Sequence, residues 1–320
     1  MSARRSAPVV AAIGLVVTAL LGACSSTVYA ETTVPTSTPT PTSSATSAAP
    51  VTCDNATQSY DPLPSLTGAT ADNALAEIRT RGRLRVGVSA DSKLLASRDP
   101  FTGQIVGFDI DVARAVAQAI FNDANKIELV VISAGDRIPA LQKDNVDLVV
   151  RNMTMTCARW QDIAFSAEYY QSGLKILVKK GSEAKSLADL SGKKVCAPNG
   201  STSLDAVKAT PGVIPVGAAT HTACLVLFQN GDVDAIAGDD TVLAGLVAQD
   251  PYAFVPQMDQ LTKEPYGIGV NKEHKDLVRY VNRVLDMVKA DGRWQQSYAK
   301  WFQEALHVPA QPPQSVYGRQ

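Results

Sequence analysis

The sequence is poor in the residues that build metal sites and catalytic triads. Its 320 residues include three histidines, His221, His274 and His307, which are widely separated. No Cys-x-x-Cys or His-x-x-x-His spacing occurs, which argues against a zinc site, a metalloprotease and a histidine-centred triad. Neither Gly-x-x-x-x-Gly-Lys-Ser/Thr nor Gly-x-Gly-x-x-Gly is present, which argues against nucleotide chemistry. We therefore expect no metal and no cofactor.

Excess charge and aromatic residues are also scarce. There are 30 Lys and Arg against 31 Asp and Glu, a net charge of −1, and aromatic residues make up only 6% of the chain. Such a balance gives no basic surface for nucleic acid, which we do not expect as a partner. With 45% apolar and 19% charged residues, the composition is typical of a soluble α/β chain of one or two domains.

The N-terminus has the pattern of an export signal. Arg4 and Arg5 precede an apolar run of 13 residues from Val9 to Leu21, which is too short to span a bilayer comfortably and matches the core of a signal peptide. The run ends in Leu-Gly-Ala-Cys24, which resembles the lipobox of bacterial lipoproteins. We expect residues 1–23 to be a lipoprotein signal peptide. Lipidated Cys24 would then hold an exported protein on the outer face of the cell membrane, as its only membrane attachment.

A tether is predicted after the anchor, over residues 24–68. Between Ser25 and Pro50, 18 of 26 residues are Ser, Thr or Pro. Such a segment has too little apolar surface to offset its ordering entropy, so we expect it to stay extended and solvated.

The other four cysteines form an even set in an oxidising compartment, where disulfide bonds are expected. Cys196 ends an apparent strand and Cys224 lies 28 residues later near a helix start, within one sub-region. We pair these two, which leaves Cys53 to bond Cys157 at the end of the tether. Reduced structural thiols remain the alternative.

From about residue 69 the pattern alternates short apolar strands with amphipathic helices, which favours α/β lobes with mainly parallel sheets flanked by helices. A similar scheme repeats from about residue 171, and Asn145-Val146-Asp147 and Asp232-Val233-Asp234 are equivalent points in the two repeats. We predict one lobe from residues 69–170 and 267–320, and a second from 171–266. Two such lobes imply a cleft at the carboxyl ends of their strands.

A series of ordered motifs identifies a family resemblance. Gly107-Phe108-Asp109-Ile110-Asp111 resembles the Gly-Phe-Asp-x-Asp signature of the family-3 solute-binding proteins of ABC transporters, and the glutamine- and glutamate-binding branch is the most similar. The resemblance covers about residues 72–305. The further matches are Ile138-Pro139-Ala140-Leu141-Gln142, Met153-Thr154-Met155-Thr156-x-x-Arg159, Phe165-Ser166-x-x-Tyr169-Tyr170, Leu187-x-Asp189-Leu190-x-Gly192-Lys193, Gly200-Ser201-Thr202, Tyr266-Gly267-Ile268-Gly269 and Asp291-Gly292-x-Trp294.

The resemblance implies a type II periplasmic-binding-protein fold and a receptor for a free polar amino acid. Arg159 matches the arginine that grips the α-carboxylate, and a guanidinium fork suits that bidentate contact. Asp239 matches the aspartate that takes the α-ammonium, and Thr154 is implied as a further ligand contact. Gly200, Ser201 and Thr202 lie at a helix start, where free N–H groups favour an anion. Taken singly, Arg159 could be a surface helix cap, Asp239 a turn residue, and the helix start a plain N-cap.

Several positions depart from the family. Ser89 replaces an aspartate of the glutamine-binding branch, and Ala134 lies near the place of a covering aromatic residue. We place four charged residues on loops that face the cleft, beside Asn152 in the binding loop: Arg137, Arg151, Lys93 and Asp91. Surplus cations suit a side-chain carboxylate, so we expect aspartate or glutamate to be favoured over glutamine or a basic amino acid, with asparagine and glutamine as possible ligands. Each cation could instead lie on a solvated face.

The leading hypothesis is a monomeric, non-enzymatic receptor that delivers its amino acid to an ABC permease. It would close by hinge motion at the crossing strands near 168–173 and 263–266. One alternative is a sensor subunit that signals to a membrane partner. A weaker alternative is a dehydratase-like enzyme on the same fold, with Asp91 or Asp240 as the proton donor.

Overall fold

A computed structural model describes residues 51–66 and 73–320 of the chain. These residues belong to one structural unit, Ala49–Gln320. The predicted signal peptide, the predicted lipidation site Cys24 and most of the predicted tether lie outside the described residues. Within those two ranges, no helix is both long and apolar enough to cross a membrane.

Strands and helices are interspersed along the described chain. The first group is α1 (Asn73–Arg81), β1 (Leu84–Val88), β2 (Asp91–Ser92), β3 (Ala96–Arg98), β4 (Ile105–Val106), α2 (Phe108–Phe121), β5 (Ile127–Val131), α3 (Arg137–Gln142), β6 (Leu148–Val149), α4 (Cys157–Asp162) and β7 (Ala164–Phe165). The second group is β8 (Tyr170–Lys179), β9 (Lys194–Pro198), α5 (Thr202–Ala209), β10 (Ile214–Ala218), α6 (His221–Asn230), β11 (Ala235–Asp239), α7 (Asp240–Val247), β12 (Ala253–Phe254) and β13 (Lys263–Tyr266). The last group is β14 (Gly269–Val270), α8 (Lys275–Ala290), α9 (Arg293–Trp301) and α10 (Gln303–Leu306).

The first lobe is built on a five-stranded sheet in the order β5-β1-β6-β14-β7. Strands β5, β1 and β6 are parallel, as predicted, and β14 runs antiparallel to both of its neighbours, β6 and β7. Helix α2 buries one apolar face on this sheet, because its apolar residues recur at helical spacing. The helix ends at Asn122, whose left-handed backbone (φ 54°) is a common helix terminus.

The second lobe is built on the sheet β10-β9-β11-β8-β12, in which β13 also pairs with β8. Strands β10, β9 and β11 are parallel, and β8 runs antiparallel to β11. Strand β8 is ten residues long, and its first half pairs with β13, from Tyr170 opposite Tyr266 to Gly173 opposite Lys263. The two predicted hinge segments are therefore adjacent antiparallel strands. The fold class predicted from the sequence, two sheet-and-helix lobes with a cleft between them, is confirmed.

One element differs from its prediction in a way that matters for the cleft. The sequence reads as a single strand over Tyr266–Val270, but the structure divides it between β13 and β14, which pair with different sheets. Gly267 marks the transition. A side chain there would lie 2.7 Å from the Met155 side chain, so the crossing requires glycine.

Both predicted disulfide bonds are present, Cys53–Cys157 and Cys196–Cys224. The first bonds the described N-terminal segment to the first residue of α4. The same segment is held by Trp160, whose indole N–H donates to the carbonyl of Ala56 (2.7 Å). The second bond joins β9 to α6 inside the second lobe.

Candidate functional site

A polar cavity lies between the two sheets, and its free volume of about 10 Å³ is roughly the space of one water molecule. It is lined from the first lobe by the segments before α3 and α4, and from the second lobe by the ends of β9 and β11 and the starts of α5 and α6. Seven of the residues predicted from the sequence are among its walls, and the complete lining is Ala134, Arg137, Arg151, Asn152, Thr154, Pro198, Ser201, Thr202, Ser203, His221 and Asp239.

Arg159 is fixed against the cavity wall by the local structure of α4. Thr156 caps this helix, and its hydroxyl oxygen accepts the backbone N–H of Arg159 (3.2 Å). The guanidinium is buried and donates to the carbonyl of Thr154 (2.6 Å) and, across the cleft, to the carbonyl of Gly200 (3.1 Å). Burial lowers the pKa of Arg159, which the nearby charge of Glu264 partly offsets. These bonds leave other guanidinium N–H groups for an anion.

Arg137 is engaged by the backbone more completely than Arg159. It is buried and donates to the carbonyls of Ala134 (2.8 Å), Arg151 (3.3 Å), Asn152 (3.3 Å) and Gly200 (3.0 Å). Burial, reinforced by the charges of Arg159 and Arg151, lowers its pKa well below the ordinary value. Four of its five N–H donors are thus occupied, so Arg137 is a poor match for the predicted contact with a side-chain carboxylate.

Gly200 closes the cleft from the second lobe. Its carbonyl accepts bonds from both Arg137 and Arg159, which belong to the first lobe. The residue has a left-handed backbone (φ 73°), and a Cβ there would lie 2.9 Å from the Cα of Gly135. Glycine is therefore required both for the turn and for the close approach of the two lobes.

Asp239 ends β11 and presents a buried carboxylate to the cavity. The hydroxyl of Tyr266 donates to its Oδ2 (2.6 Å) and accepts from the Thr241 hydroxyl (3.1 Å). Burial, reinforced by the negative charge of Glu264, raises the pKa of Asp239 to about 7. A cationic ligand group beside it would favour the ionised form.

Arg151 and His221 line the remaining wall. Arg151 is buried, its Nε donates to the carbonyl of Ile132 (2.9 Å), and burial lowers its pKa. The Nε2 of His221 lies 3.2 Å from the carbonyl of Ala237, and burial lowers the pKa of this imidazole to about 4. The imidazole is therefore neutral at pH 7, and Arg151 is the cation of this wall.

The Gly-Phe-Asp motif supports the cavity from behind. The carboxylate of Asp109 accepts the backbone N–H of Asn152 (2.9 Å) and the hydroxyl of Tyr169 (2.8 Å). Asn152 has a positive φ of 36°, and its buried Oδ1 has no hydrogen-bond partner in the described part of the chain. Asp109 therefore fixes the strained turn that carries Asn152 and Thr154 into the cavity.

The start of α5 contributes hydroxyls whose roles differ. Ser201 is the N-cap of the helix, since its oxygen accepts the N–H of Leu204 (3.1 Å) while its proton goes to the carbonyl of Pro198 (2.6 Å). The Thr202 hydroxyl donates instead to the carboxylate of Glu264 (2.8 Å). The first-turn N–H groups of α5 lack helical partners, although Ser201 caps that of Leu204, and such a helix start favours an anion.

Five predicted ligand residues are not part of this lining: Arg159 and Gly200 lie next to it, and Ser89, Asp91 and Lys93 lie elsewhere. The Ser89 hydroxyl is buried and donates to Asp91 Oδ1 (2.8 Å). The backbone carbonyl of Asp91 accepts a hydrogen bond from the Thr222 hydroxyl (3.0 Å). Lys93 is exposed beside the β2–β3 hairpin and borders a separate surface groove. The ligand contact predicted for Lys93 does not fit this placement, because the hairpin turns its side chain toward solvent.

Three residues that the sequence did not single out as ligand contacts belong to the site: His221, Glu264 and Tyr266. Glu264 and Tyr266 lie in the Lys-Glu-Pro-Tyr strand, which the sequence marks as a hinge and, at Tyr266, as the start of a family motif, but not as a ligand contact. His221 is the first residue of a helix, next to the threonine that caps it. No cluster of three or more His, Cys, Asp or Glu side chains within residues 51–66 and 73–320 could hold a metal ion.

Comparison with known proteins yields relatives that cover most of the folded part. The ABC transporter glutamine-binding protein GlnH of Bacillus subtilis (strain 168) is 34% identical over 234 residues, which are 72% of this chain and 85% of that protein. The glutamine-binding protein of Geobacillus stearothermophilus is 36% identical over 224 residues, 69% of this chain and 85% of that protein.

Among solved structures, the P235GK mutant of the arginine-binding protein ArgBP from T. maritima superposes with a TM-score of 0.68. It is 33% identical and covers 72% of this chain and 99% of its own. Residues 84–304 match the bacterial extracellular solute-binding proteins, family 3. The chain therefore belongs to this family of binding proteins and is not an enzyme.

Proposed function

We propose that the protein is an extracellular receptor for a free polar amino acid and that it delivers this ligand to an ABC permease. The cavity offers partners for the two groups that every free amino acid carries. Arg159 and the start of α5 would hold the α-carboxylate, and Asp239 would hold the α-ammonium. A buried carboxylate and ammonium both need such partners, because an unpaired charge is costly to bury.

The observation that carries the proposal is the opposition of charges in one cavity. The buried guanidinium of Arg159 meets the Gly200 carbonyl at one side, and the buried Asp239 carboxylate lies at the end of β11. A ligand without both an anionic and a cationic group would leave one of these buried charges without its partner. The same requirement selects against sugars and simple organic acids.

Arg151 is the candidate for the side-chain end of the ligand. Of the three cations predicted for that role, Arg137 is occupied by backbone carbonyls and Lys93 is exposed, which leaves Arg151 beside His221. One cation is enough to pair one side-chain carboxylate. We therefore retain aspartate and glutamate as the favoured ligands, with asparagine and glutamine as alternatives of the same length. The names of the two bacterial relatives support the amide option.

The closed arrangement supports delivery by lobe motion. Arg137 and Arg159 bond across the cleft to Gly200, and β8 and β13 connect the lobes as adjacent strands. Opening would break the cleft bonds while the paired strands act as the hinge. The proposal includes a lipid anchor at Cys24, a solvated tether and a monomeric state.

A thermal-shift screen of the twenty amino acids tests the function, because a ligand that binds the native state raises Tm by mass action. We expect a rise with aspartate, glutamate or their amides. Asp239→Asn should abolish the rise, since it removes the charge opposite the ammonium, while the exposed Asp232→Asn is the matched control. Wild-type protein that responds to no amino acid would refute the receptor.

The anchor has a separate test in cells. Cys24→Ala should release the protein into the medium or leave its signal uncleaved, whereas wild type should carry acyl chains on its first residue. Mass spectrometry of the mature N-terminus decides between these outcomes. Full membrane retention of the variant without an acyl chain would contradict the lipoprotein assignment.

A further inference from the structure

Glu264 forms a buried hydrogen-bond centre directly behind the cavity. It is 3% exposed, and its carboxylate accepts three threonine hydroxyls. Thr154 (2.6 Å) and Thr202 (2.8 Å) both donate to Oε2, and Thr262 (2.6 Å) donates to Oε1. A carboxylate can only accept, so the protons of all three hydroxyls point toward Glu264.

Two of these hydroxyls form part of the cavity wall, and their polarity is fixed by this arrangement. Thr154 and Thr202 both line the cavity, and their oxygens lie 3.4 Å apart. A hydroxyl has one proton and two lone pairs, so each can offer only an acceptor to a ligand. An ammonium carries three donors and no acceptor, and it suits this pair of oxygens. A ligand carboxylate would find no donor there.

The same contacts join the lobes. Thr154 precedes α4 of the first lobe, Thr202 begins α5 of the second, and Glu264 lies on β13, which pairs with the connecting strand β8. Within the predicted bounds, Glu264 and Thr202 belong to the second lobe and Thr154 to the first, so the bond between Glu264 and Thr154 is the one that spans the lobes.

We propose that Glu264 is a positioning residue of the amino-acid site, which turns Thr154 and Thr202 into acceptors for the ligand ammonium and links the closed lobes. This inference rests on the proposed function. Electrostatics agrees with it, since the Glu264 charge contributes to the raised pKa of Asp239 and adds negative potential on the ammonium side of the cavity.

The test compares an amino acid with the analogue that lacks only its ammonium. The probes are L-glutamate with glutarate and L-aspartate with succinate, titrated calorimetrically into wild type and Glu264→Gln. With its N–H groups toward Thr154 and Thr202, the amide would free both cavity hydroxyl protons; with its oxygen there, it would turn its N–H groups on Thr262. In either orientation the negative charge behind the ligand ammonium is lost. We expect the amino acid to bind about 10- to 100-fold more weakly, the size of a lost charged hydrogen bond. The analogue should lose less than about 3-fold, which is well below the cost of one such bond.

The ratio of the affinity for the amino acid to the affinity for its analogue separates a positioning role of Glu264 from a purely structural one. A general loosening of the site would weaken both probes alike and leave the ratio unchanged, which would overturn the inference. Thr202→Val provides a second variant that leaves the hinge strand intact, and it should also lower the ratio. In the Thr202→Val background, Glu264→Gln should reduce the affinity for the amino acid by a smaller factor than in wild type, because the two residues share one hydrogen bond. The exposed Glu183→Gln makes the same chemical change elsewhere and should leave both affinities unchanged.

The outcomes also separate this inference from the function on which it rests. Wild-type protein that binds no amino acid would overturn the receptor and this role together. Wild-type protein that binds an amino acid, with an unaltered ratio in both variants, would overturn the role of Glu264 alone.

Discussion

Arg159→Ala should remove most of the affinity for every amino acid while changing the folded protein little. In the complex, the variant would leave the α-carboxylate buried beside the start of α5 without its cation. Breaking a buried ion pair from one side costs about 3–5 kcal/mol, and each 1.4 kcal/mol is about a tenfold change in Kd. Arg137 also bonds the Gly200 carbonyl, so its positive charge stays near the anion and offsets part of this loss. We therefore expect the lower end of this energy range, which corresponds to a rise in Kd of about a hundredfold.

The stability of the unliganded variant follows from the same contacts. The carbonyl of Thr154 loses a donor, which costs about 1–3 kcal/mol for a buried group, whereas Gly200 keeps its bond from Arg137. Removal of Arg159 also relieves its repulsion of the Arg137 guanidinium, whose pKa it lowers. These effects oppose each other, so Tm without ligand should move by only a few degrees.

Calorimetric titration with aspartate, glutamate, asparagine and glutamine measures the loss. It should be similar for all four, because the α-carboxylate is common to them. Arg159→Lys keeps the charge without the fork and should recover part of the affinity. The control is Arg293→Ala, a change at an exposed arginine that pairs with Asp291. A loss below about fivefold in Arg159→Ala, under 1 kcal/mol, or a loss confined to the acidic ligands would refute the assigned role.

Four further predictions follow from the described contacts. Arg151→Gln should weaken aspartate and glutamate more than their amides in the same titrations, and an equal loss for acids and amides would contradict its place at the side-chain end. The affinity for the amino acid should fall as pH decreases below about 7, because the folded pKa of Asp239 is about 7 and only the ionised carboxylate pairs with an ammonium. About one proton should therefore be released on binding near pH 6. Calorimetric titrations in buffers of different ionisation enthalpy would measure this release. Burial raises the pKa of Glu168 to about 7 from an unfolded value of 4.5, so its contribution to the free energy of unfolding is full below pH 4.5 and is lost as pH rises through 7. Glu168→Gln should therefore raise the urea midpoint at pH 8 but not at pH 4. The same gain at both pH values would contradict this titration. Loss of the Cys196–Cys224 bond, which spans 28 residues, should lower the free energy of unfolding by about 3–4 kcal/mol through chain entropy, and a double serine variant with unchanged urea stability would contradict this.

The fold was predictable because its elements are locally encoded. The strand Leu84–Val88 coincides with β1, and the helix from Asp109 to Phe121 is α2 with one more residue at its start. Both segments carry the apolar period of their structure. The small sheet of β2, β3 and β4 was not predicted, since strands of two or three residues are too short to show any period.

The site was predictable where a motif marks it and not where packing decides. Thr154 and Asp239 follow recognisable motifs, and both reach the cavity. Nothing local marks Glu264 within its predicted hinge strand, because the two threonine partners that line the cavity lie 110 and 62 positions away in the sequence. Arg137 counted as a free cation, although four backbone carbonyls surround it in the folded chain. Whether carbonyl groups occupy the N–H donors of an arginine depends on three-dimensional contacts that no local sequence pattern contains.

The bond between Cys53 and Cys157 determines where mechanical force would enter the molecule. A pull on the chain before Cys53 passes through the covalent bond directly into α4, which contacts α3 and β7 of the first sheet. Residues 54–66 then carry none of this load, since the covalent bridge bypasses them. The second sheet lies off this load path, because the chain reaches it from α4 through β8 and returns from it through β13. Force on the chain before Cys53 would thus load the first lobe and leave the second lobe free to open and close the cleft.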